Sequence, residues 1–206
     1  MHGEVLSDET LVSKACRRDR KAFDALVLRY QSQAILVAQG ILKNFELAKD
    51  ASQNAFAKAY FGLNHFRSDA KFKTWFFRIV LNEAKNIYRK EKARGLFKSW
   101  SASKADAEGG ESILELIPSS GQSPREVFEK QEVKKQLELA INDLPERERE
   151  VFILRYINYL SLNEVAETLG IALGTVKAHL SQGTEKLKSM LLKPIGMHRS
   201  AKIERG

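Results

Sequence analysis

A single cysteine, Cys16, leaves this chain no internal disulfide and suits a reducing compartment, which points to the cytoplasm. Within LVSKAC it reads as a small buried hydrophobe rather than a reactive thiol. Four scattered histidines beside one cysteine give no metal-ligand spacing, so neither a metal nor a cofactor is expected. No run of about 18 apolar residues occurs, which excludes a transmembrane helix. The start, MHGEVLSDET, has neither a basic n-region nor an apolar h-region and predicts no secretory signal. With only four prolines and no alternating Val/Ile/Thr runs, nothing signals a strand, and the predicted class is all-α. GxxxxGK[ST], HExxH and GxSxG are absent, and no carboxylate pair clusters on one predicted face, so an enzyme is not expected. No internal repeat is present.

What is there is basic charge, unevenly placed. The net charge is +8 over 206 residues, a length that fits one or two globular domains. Residues 1–94 carry 18 Lys/Arg against 10 Asp/Glu, whereas residues 124–206 carry 14 against 12. The positive field therefore belongs to the first half, where an anionic partner such as nucleic acid would be held first. Between the halves, residues 95–123 are rich in Gly, Ser and Ala and read as a flexible linker with one apolar patch, Ile113, Leu114, Leu116 and Ile117.

The first half divides into four helical stretches. Ser7 is a predicted N-cap for a helix through Leu11, Val12 and Ala15. After the basic turn RRDRK comes a long helix with Phe23, Leu26, Tyr30, Ala34 and Ile41 on its stripe. A third starts near Glu46, with Ala51, Ala55, Ala59 and Leu63 at four-residue spacing. The fourth, from Ala70 to Arg94, holds eight Lys/Arg and two Glu. Its apolar face is Phe76, Ile79, Val80, Ala84 and Ile87, while Arg78, Asn82, Lys85, Arg89 and Lys92 recur at spacings of 4, 3, 4 and 3 on another face. A cationic ridge of this kind asks for an anionic partner. The preceding loop, HFRSDAKFKTW, interleaves aromatics with bases, a pattern suited to stacking on unpaired bases.

The second half opens on Ser123, Pro124 and Glu126, an N-cap, a first-turn proline and a capping-box partner. That helix runs to about Asp143, and LPERERE begins the next, whose Glu146, Glu148 and Glu150 read as a solvated face of intrahelical ion pairs. LNEVAETLG and IALGTVKAHL follow, with Val165, Ala166 and Leu169 inward and Gly170 as a left-handed C-cap. Val176, Leu180, Leu187 and Leu191 then form a new stripe. Two helices joined by a tight glycine turn make a helix-turn-helix whose second member would enter a major groove. From Thr175 to Thr184 its only full charge is Lys177, so its own electrostatic affinity for DNA is small.

At these residues the chain resembles the extracytoplasmic-function (ECF) sigma factors of bacterial RNA polymerase. DASQNAFAKAYFGLNHFRSDAKFKTWFFRIVLNEAKNIYRK is similar to region 2 of that sigma-70 family, and LPEREREVFILRYINYLSLNEVAETLGIALGTVKAHLSQGTEKL to region 4. The resemblance covers roughly residues 8 to 192. It implies a region 2 domain over 1–94, a linker over 95–123, a region 4 domain over 124–193 and a basic tail over 194–206. Asp50, Gln53, Asn54 and Phe56 stand where the family meets the clamp helices of the polymerase's largest subunit. Asn54 departs from the glutamate usual there. Phe66, Arg67, Lys71, Phe72, Lys73, Thr74 and Asn82 stand where the family captures a flipped-out base of the −10 element, with Trp75, Arg78 and Lys85 beside that strand. Thr175, Lys177, Ala178, His179 and Gln182 stand where the recognition helix meets the −35 element. The implied partners are core RNA polymerase, through its clamp helices and flap, promoter DNA, and an anti-sigma factor.

A rival reading starts from the second half, which also looks like the helix-turn-helix of LuxR-type response regulators. That class requires an α/β receiver in the first half, and the helical, basic pattern there speaks against it. On the sigma reading, weak −35 binding by residues 174–188 is compensated when polymerase tethers the domain at high effective concentration.

Overall fold

The structure is a computed structural model, and it describes residues 6–66, 71–94, 133 and 136–192. Arg67, the apolar linker patch, the Ser123–Pro124–Glu126 signature and the tail lie outside the described residues. All regular structure among the described residues is helical, in agreement with the all-α reading.

Each early helix begins at a side chain that accepts from the helix's own orphan amides. Helix α1, Asp8–Cys16, is capped by Ser7 Oγ, which accepts from the Thr10 amide at 3.3 Å. Helix α2, Arg20–Leu42, is capped by Asp19, so the RRDRK turn shrinks to three residues and Arg20 and Lys21 already belong to the helix. Helix α3, Phe45–Gly62, follows after Lys43 in the left-handed region, with Asn44 Oδ1 accepting from Leu47 at 2.8 Å. A 3₁₀ turn, Leu63–His65, leads toward α4, Phe72–Ala93. The alanines of α3, Ala48, Ala51, Ala55 and Ala59, are wholly buried and let α2 and α4 approach it closely. Phe76 and Phe77 of α4 fill the centre of this bundle and are also fully buried. Truncating either to alanine would cost about 3–5 kcal/mol.

The second body starts with helical residues 136–143 and continues into α5, Glu146–Phe152, which runs on as one π-helical stretch, Ile153–Ile157. Helix α6, Leu162–Leu169, starts on a complete capping box: Ser161 Oγ accepts from the Glu164 amide at 3.2 Å, and Glu164 Oε2 accepts from the Ser161 amide at 2.7 Å. It ends at Gly170, with φ 65° and ψ 38°, in the left-handed cap read from the sequence. Helix α7, Leu173–Leu191, crosses α5 at Gly183, where an added Cβ would lie 3.4 Å from Glu148 Cβ. Val165, Val176 and Leu187 are buried as expected, while Leu191 at the end of the stripe is exposed.

The two bodies touch. Helices α2 and α4 of the first pack against α5, its π-helical continuation and α6 of the second, and one cluster of buried side chains runs through both.

Candidate nucleic-acid interface

The ridge of α4 is real and faces outward from the first bundle. Arg78, Asn82, Arg89 and Lys92 are exposed and Lys85 is partly so, while Phe76, Val80 and Ala84 bury the opposite face. A heptad-like spacing of 4 and 3 does this on any α-helix, and here the apolar face fixes which way the ridge points. Asn82, Lys85, Asn86, Tyr88 and Arg89 line an open cleft whose far wall carries Glu146 of α5.

The aromatics before the ridge turn inward rather than outward. Phe72 and Thr74 are buried, at 4% and 0% exposure, so neither presents a surface to DNA. Phe72 stacks on Phe76 with ring centroids 5.7 Å apart, and Phe66 and Trp75 pack on each other at 5.0 Å. Trp75 also lies over Gly62, where an added Cβ would meet Trp75 Cζ2 at 3.2 Å. Phe66 and Trp75 keep a partly open edge, and Phe72 packs against both rings, at 6.2 and 5.8 Å. The direct-contact reading is therefore corrected: Phe72 supports the two rings and Thr74 is buried. Lys71 is exposed, and Lys73 is half-buried, with burial pushing its ammonium down from the ordinary lysine value.

On α3, Asp50, Gln53 and Asn54 are exposed along one side. Phe56 is not: it is 8% exposed and packs on Phe76 at 4.5 Å, because its position in the helix coincides with the alanine face. Phe56 is corrected from a docking residue to a core residue behind that surface. On α7, Thr175, Lys177, Ala178 and Gln182 are exposed on one face, and His179 is partly covered at their side. Four of these five residues thus remain exposed.

The sequence did not reveal the buried charges of α5 or the carboxylate of α6 that reaches the first body. The EREREVF helix is not a solvated face: Glu148, Arg149 and Glu150 are all buried, at 5%, 6% and 3% exposure. Glu150 sits 2.8 Å from Lys85 Nζ and 3.0 Å from Arg147. Glu148 pairs with Lys186 of α7. Arg149 donates to three backbone carbonyls, those of Leu144 at 2.8 Å, Asn142 at 3.1 Å and Gly40, and burial lowers its guanidinium from the ordinary value. The carbonyl of Gly40 belongs to the last turn of α2, which has no intrahelical partner to offer it. Glu164 lies 3.0 Å from Lys71 Nζ, and Arg78 donates to the carbonyl of Glu167. Burial alone would raise the Glu164 carboxyl. Hydrogen bonds from the Ser161 amide, the Lys71 ammonium and the Ser161 hydroxyl outweigh that and hold it below the usual carboxylate value. The Ser161–Glu164 spacing could have revealed the cap, but no local signal names the lysine across the interface.

Among the described residues no His/Cys/Asp/Glu group is arranged to hold a metal, and no helix is long and apolar enough to cross a membrane.

Comparison with known proteins adds the relatives. Residues 26–94 match Sigma-70 region 2, and residues 134–187 match Sigma-70, region 4. The chain is 32% identical to the RNA polymerase sigma-H factor of Pseudomonas aeruginosa over 89% of its own length and 93% of the relative's. It is 31% identical to the ECF RNA polymerase sigma-E factor of Escherichia coli, with 89% and 94% covered. With the ECF RNA polymerase sigma factor SigW of Bacillus subtilis it shares 31%, over 87% and 94%. The fold is similar to that of CnrH in its complex with the cytosolic domain of CnrY, with a TM-score of 0.61, 23% identity and coverage of 89% of this chain and 96% of that one. Two helical bodies in region 2 to region 4 order agree with these matches, and the chain belongs to the extracytoplasmic-function sigma factors of the sigma-70 family.

Proposed function

We propose that the chain serves as an alternative sigma factor whose α4 ridge captures the −10 strand and whose α7 face reads the −35 element. The observation that carries this reading is the exposed Asn82 at the centre of the Arg78–Lys92 ridge, on a chain that also presents Thr175, Lys177, Ala178 and Gln182 outward. The ridge supplies charge for phosphates, and the amide supplies a paired donor and acceptor for a base edge. Phe66 and Trp75 add partly open ring edges against which an unstacked base can rest. Opening a duplex costs a few kcal/mol per base, and a pocket of this chemistry recovers it. The exposed side of α3, with Asp50, Gln53 and Asn54, is the surface offered to core polymerase.

Bond-forming chemistry resides with the polymerase on this reading, and the chain acts by binding alone. A receiver-linked LuxR-type regulator is not favoured, since the described part of residues 6–94 is a helical bundle matched by sigma region 2. An anti-sigma partner is also inferred, as the similar fold of the sigma factor RpoE from Bartonella quintana is found in complex with the anti-sigma factor NepR. The test is transcription: the purified chain added to core polymerase should direct initiation at discrete sites, mapped by sequencing transcript 5′ ends. Failure either to bind core polymerase or to define any start site would remove the reading.

A further inference from the structure

We propose that the turn before the helix-turn-helix makes a second contact to the −35 duplex, in which Tyr159 donates its hydroxyl to a backbone phosphate and Arg155 supplies charge. This contact presupposes α7 as the −35 surface and extends that surface to residues outside α7.

Tyr159 is held in a conformation that its side chain opposes. Its φ is 55°, in the left-handed region, where a bulky aromatic residue is strained. The turn leaves it no alternative. Asn158 is wholly buried and donates from both its backbone amide and its side-chain amide to the carbonyl of Ile153, at 3.0 and 3.1 Å. Leu160 is wholly buried as well, and its amide donates to the carbonyl of Leu154 at 3.1 Å. Glycine would take the same backbone without strain. The tyrosine finds nothing within the chain to offset it: the residue is 74% exposed and, among the described residues, has no hydrogen-bond or ring partner. Strain with no offset inside the chain points to a contact outside it.

The turn's position and charge name the partner. Tyr156, three residues earlier, lines a groove with Lys177, Ser181 and Thr184 of α7, so the π-helical stretch flanks the recognition helix. Glu185, also in that lining, pairs with Lys188 at 3.3 Å. Ser161, two residues after Tyr159, caps α6, the first helix of the helix-turn-helix. In such motifs that helix meets the sugar-phosphate backbone while the second enters the groove. Arg155 is only partly covered. Its guanidinium donates to the carbonyl of Leu160 at 2.9 Å, and no carboxylate among the described residues pairs with it. An unneutralised cation and an exposed phenol on one turn, at the rim of a DNA-reading helix, fit a phosphate: one supplies charge, the other a neutral donor. The same pair makes up for the low charge of α7, which from Thr175 to Thr184 carries only Lys177.

The test uses the full chain on core polymerase and the −35 duplex of a promoter from which that holoenzyme initiates, with binding read by anisotropy across a salt series. Tyr159→Phe keeps the ring and the strain and removes only the donor. It should leave Tm unchanged and weaken duplex binding about tenfold, with the salt slope unaltered because no charge is lost. Tyr159→Gly should weaken binding as much while raising the Tm of the free chain by about 2–4 °C, since the strain is gone. Arg155→Gln should lower the salt slope by about one unit. Duplex binding unchanged in either Tyr159 variant would overturn the phosphate contact. A level or lower Tm in Tyr159→Gly would show that the chain itself offsets the strain, and the case for an outside partner would fall. An unchanged slope in Arg155→Gln would remove the arginine from the contact. Weaker binding to core polymerase in Tyr159→Gly, with duplex binding by the assembled holoenzyme unchanged, would move the partner from DNA to polymerase and overturn the assignment. An unaltered chain that binds no core polymerase fails as a sigma factor and takes this contact with it, and the polymerase-binding assay tells that failure from the others.

Discussion

Asn82 stands apart from its neighbours on the ridge because its amide is neutral and can both donate and accept. Arg78 and Lys85 attract any phosphate, whereas a planar amide discriminates among base edges, at about 1–3 kcal/mol for a good bidentate contact. Asn82→Ala should therefore slow open-complex formation by roughly 5- to 150-fold, the same range expressed as a rate. Binding of a −35 duplex, measured in parallel by anisotropy, should not change. Equal losses in the two assays would contradict the role given to this residue. Position in a motif singles out Asn82, which is exposed, but says nothing about which way other side chains point. Phe56 and Phe72 are buried because the face that packs on Phe76 and Tyr30 claims them, and Thr74 is buried too. Helical spacing distinguishes faces only where one is clearly polar, and aromatic residues beside a basic loop satisfy both readings.

Gly170 shows what was most legible among the elements. A helix that must end abruptly, four residues after a small Ala166 and just before a new stripe, requires a left-handed residue, and the structure has one there at φ 65°. No atom lies within 4 Å of a Cβ built at this glycine, so a substitution there meets backbone strain alone. Gly170→Ala should destabilise the helix-turn-helix by about 1–2 kcal/mol. On a chain of this size that lowers Tm by about 2–4 °C per kcal/mol in a calorimetric scan. Gly170→Asn should cost less, since asparagine tolerates that conformation. An unchanged Tm in the alanine variant would show that the turn has another way to close. Helix α5 is the opposite case. EREREVF alternates charge as a solvated helix does, yet three consecutive charged residues in it are buried. Each also has a partner remote in the chain, Lys186 on α7, Lys85 on α4 and the carbonyl of Gly40 on α2, and the local partners, Arg147 and the carbonyls of Asn142 and Leu144, do not account for the burial.

At the scale of the whole molecule the contact between the bodies depends on protonation, and Glu164 sets the acid side. It faces Lys71 at 3.0 Å, with Lys73 also nearby on α4, while Asp8 and Glu9 of α1 act on those lysines from farther away. Its carboxyl is held below the ordinary value, near 4.3 for a free glutamate. The folded, closed state thus binds its proton less readily than the open chain does. The stabilisation is fully present above the ordinary value and is lost as pH falls through the lowered one. Lys71 is shifted the other way, raised by its hydrogen bond to Glu164 and by that charge, so its share persists through neutral pH and is lost only above the ordinary lysine value of 10.5. Between these limits the contact should be insensitive to pH. Energy transfer between a dye on α3 and a dye on α7, followed from pH 7 to 3 at constant ionic strength, should stay level until about pH 4 and then fall as the bodies separate. Glu164→Gln keeps the capping hydrogen bonds to Ser161 but carries no titrating group, so its curve should start lower and fall less steeply. Superimposable curves for the two proteins would show that Glu164 does not hold the bodies together.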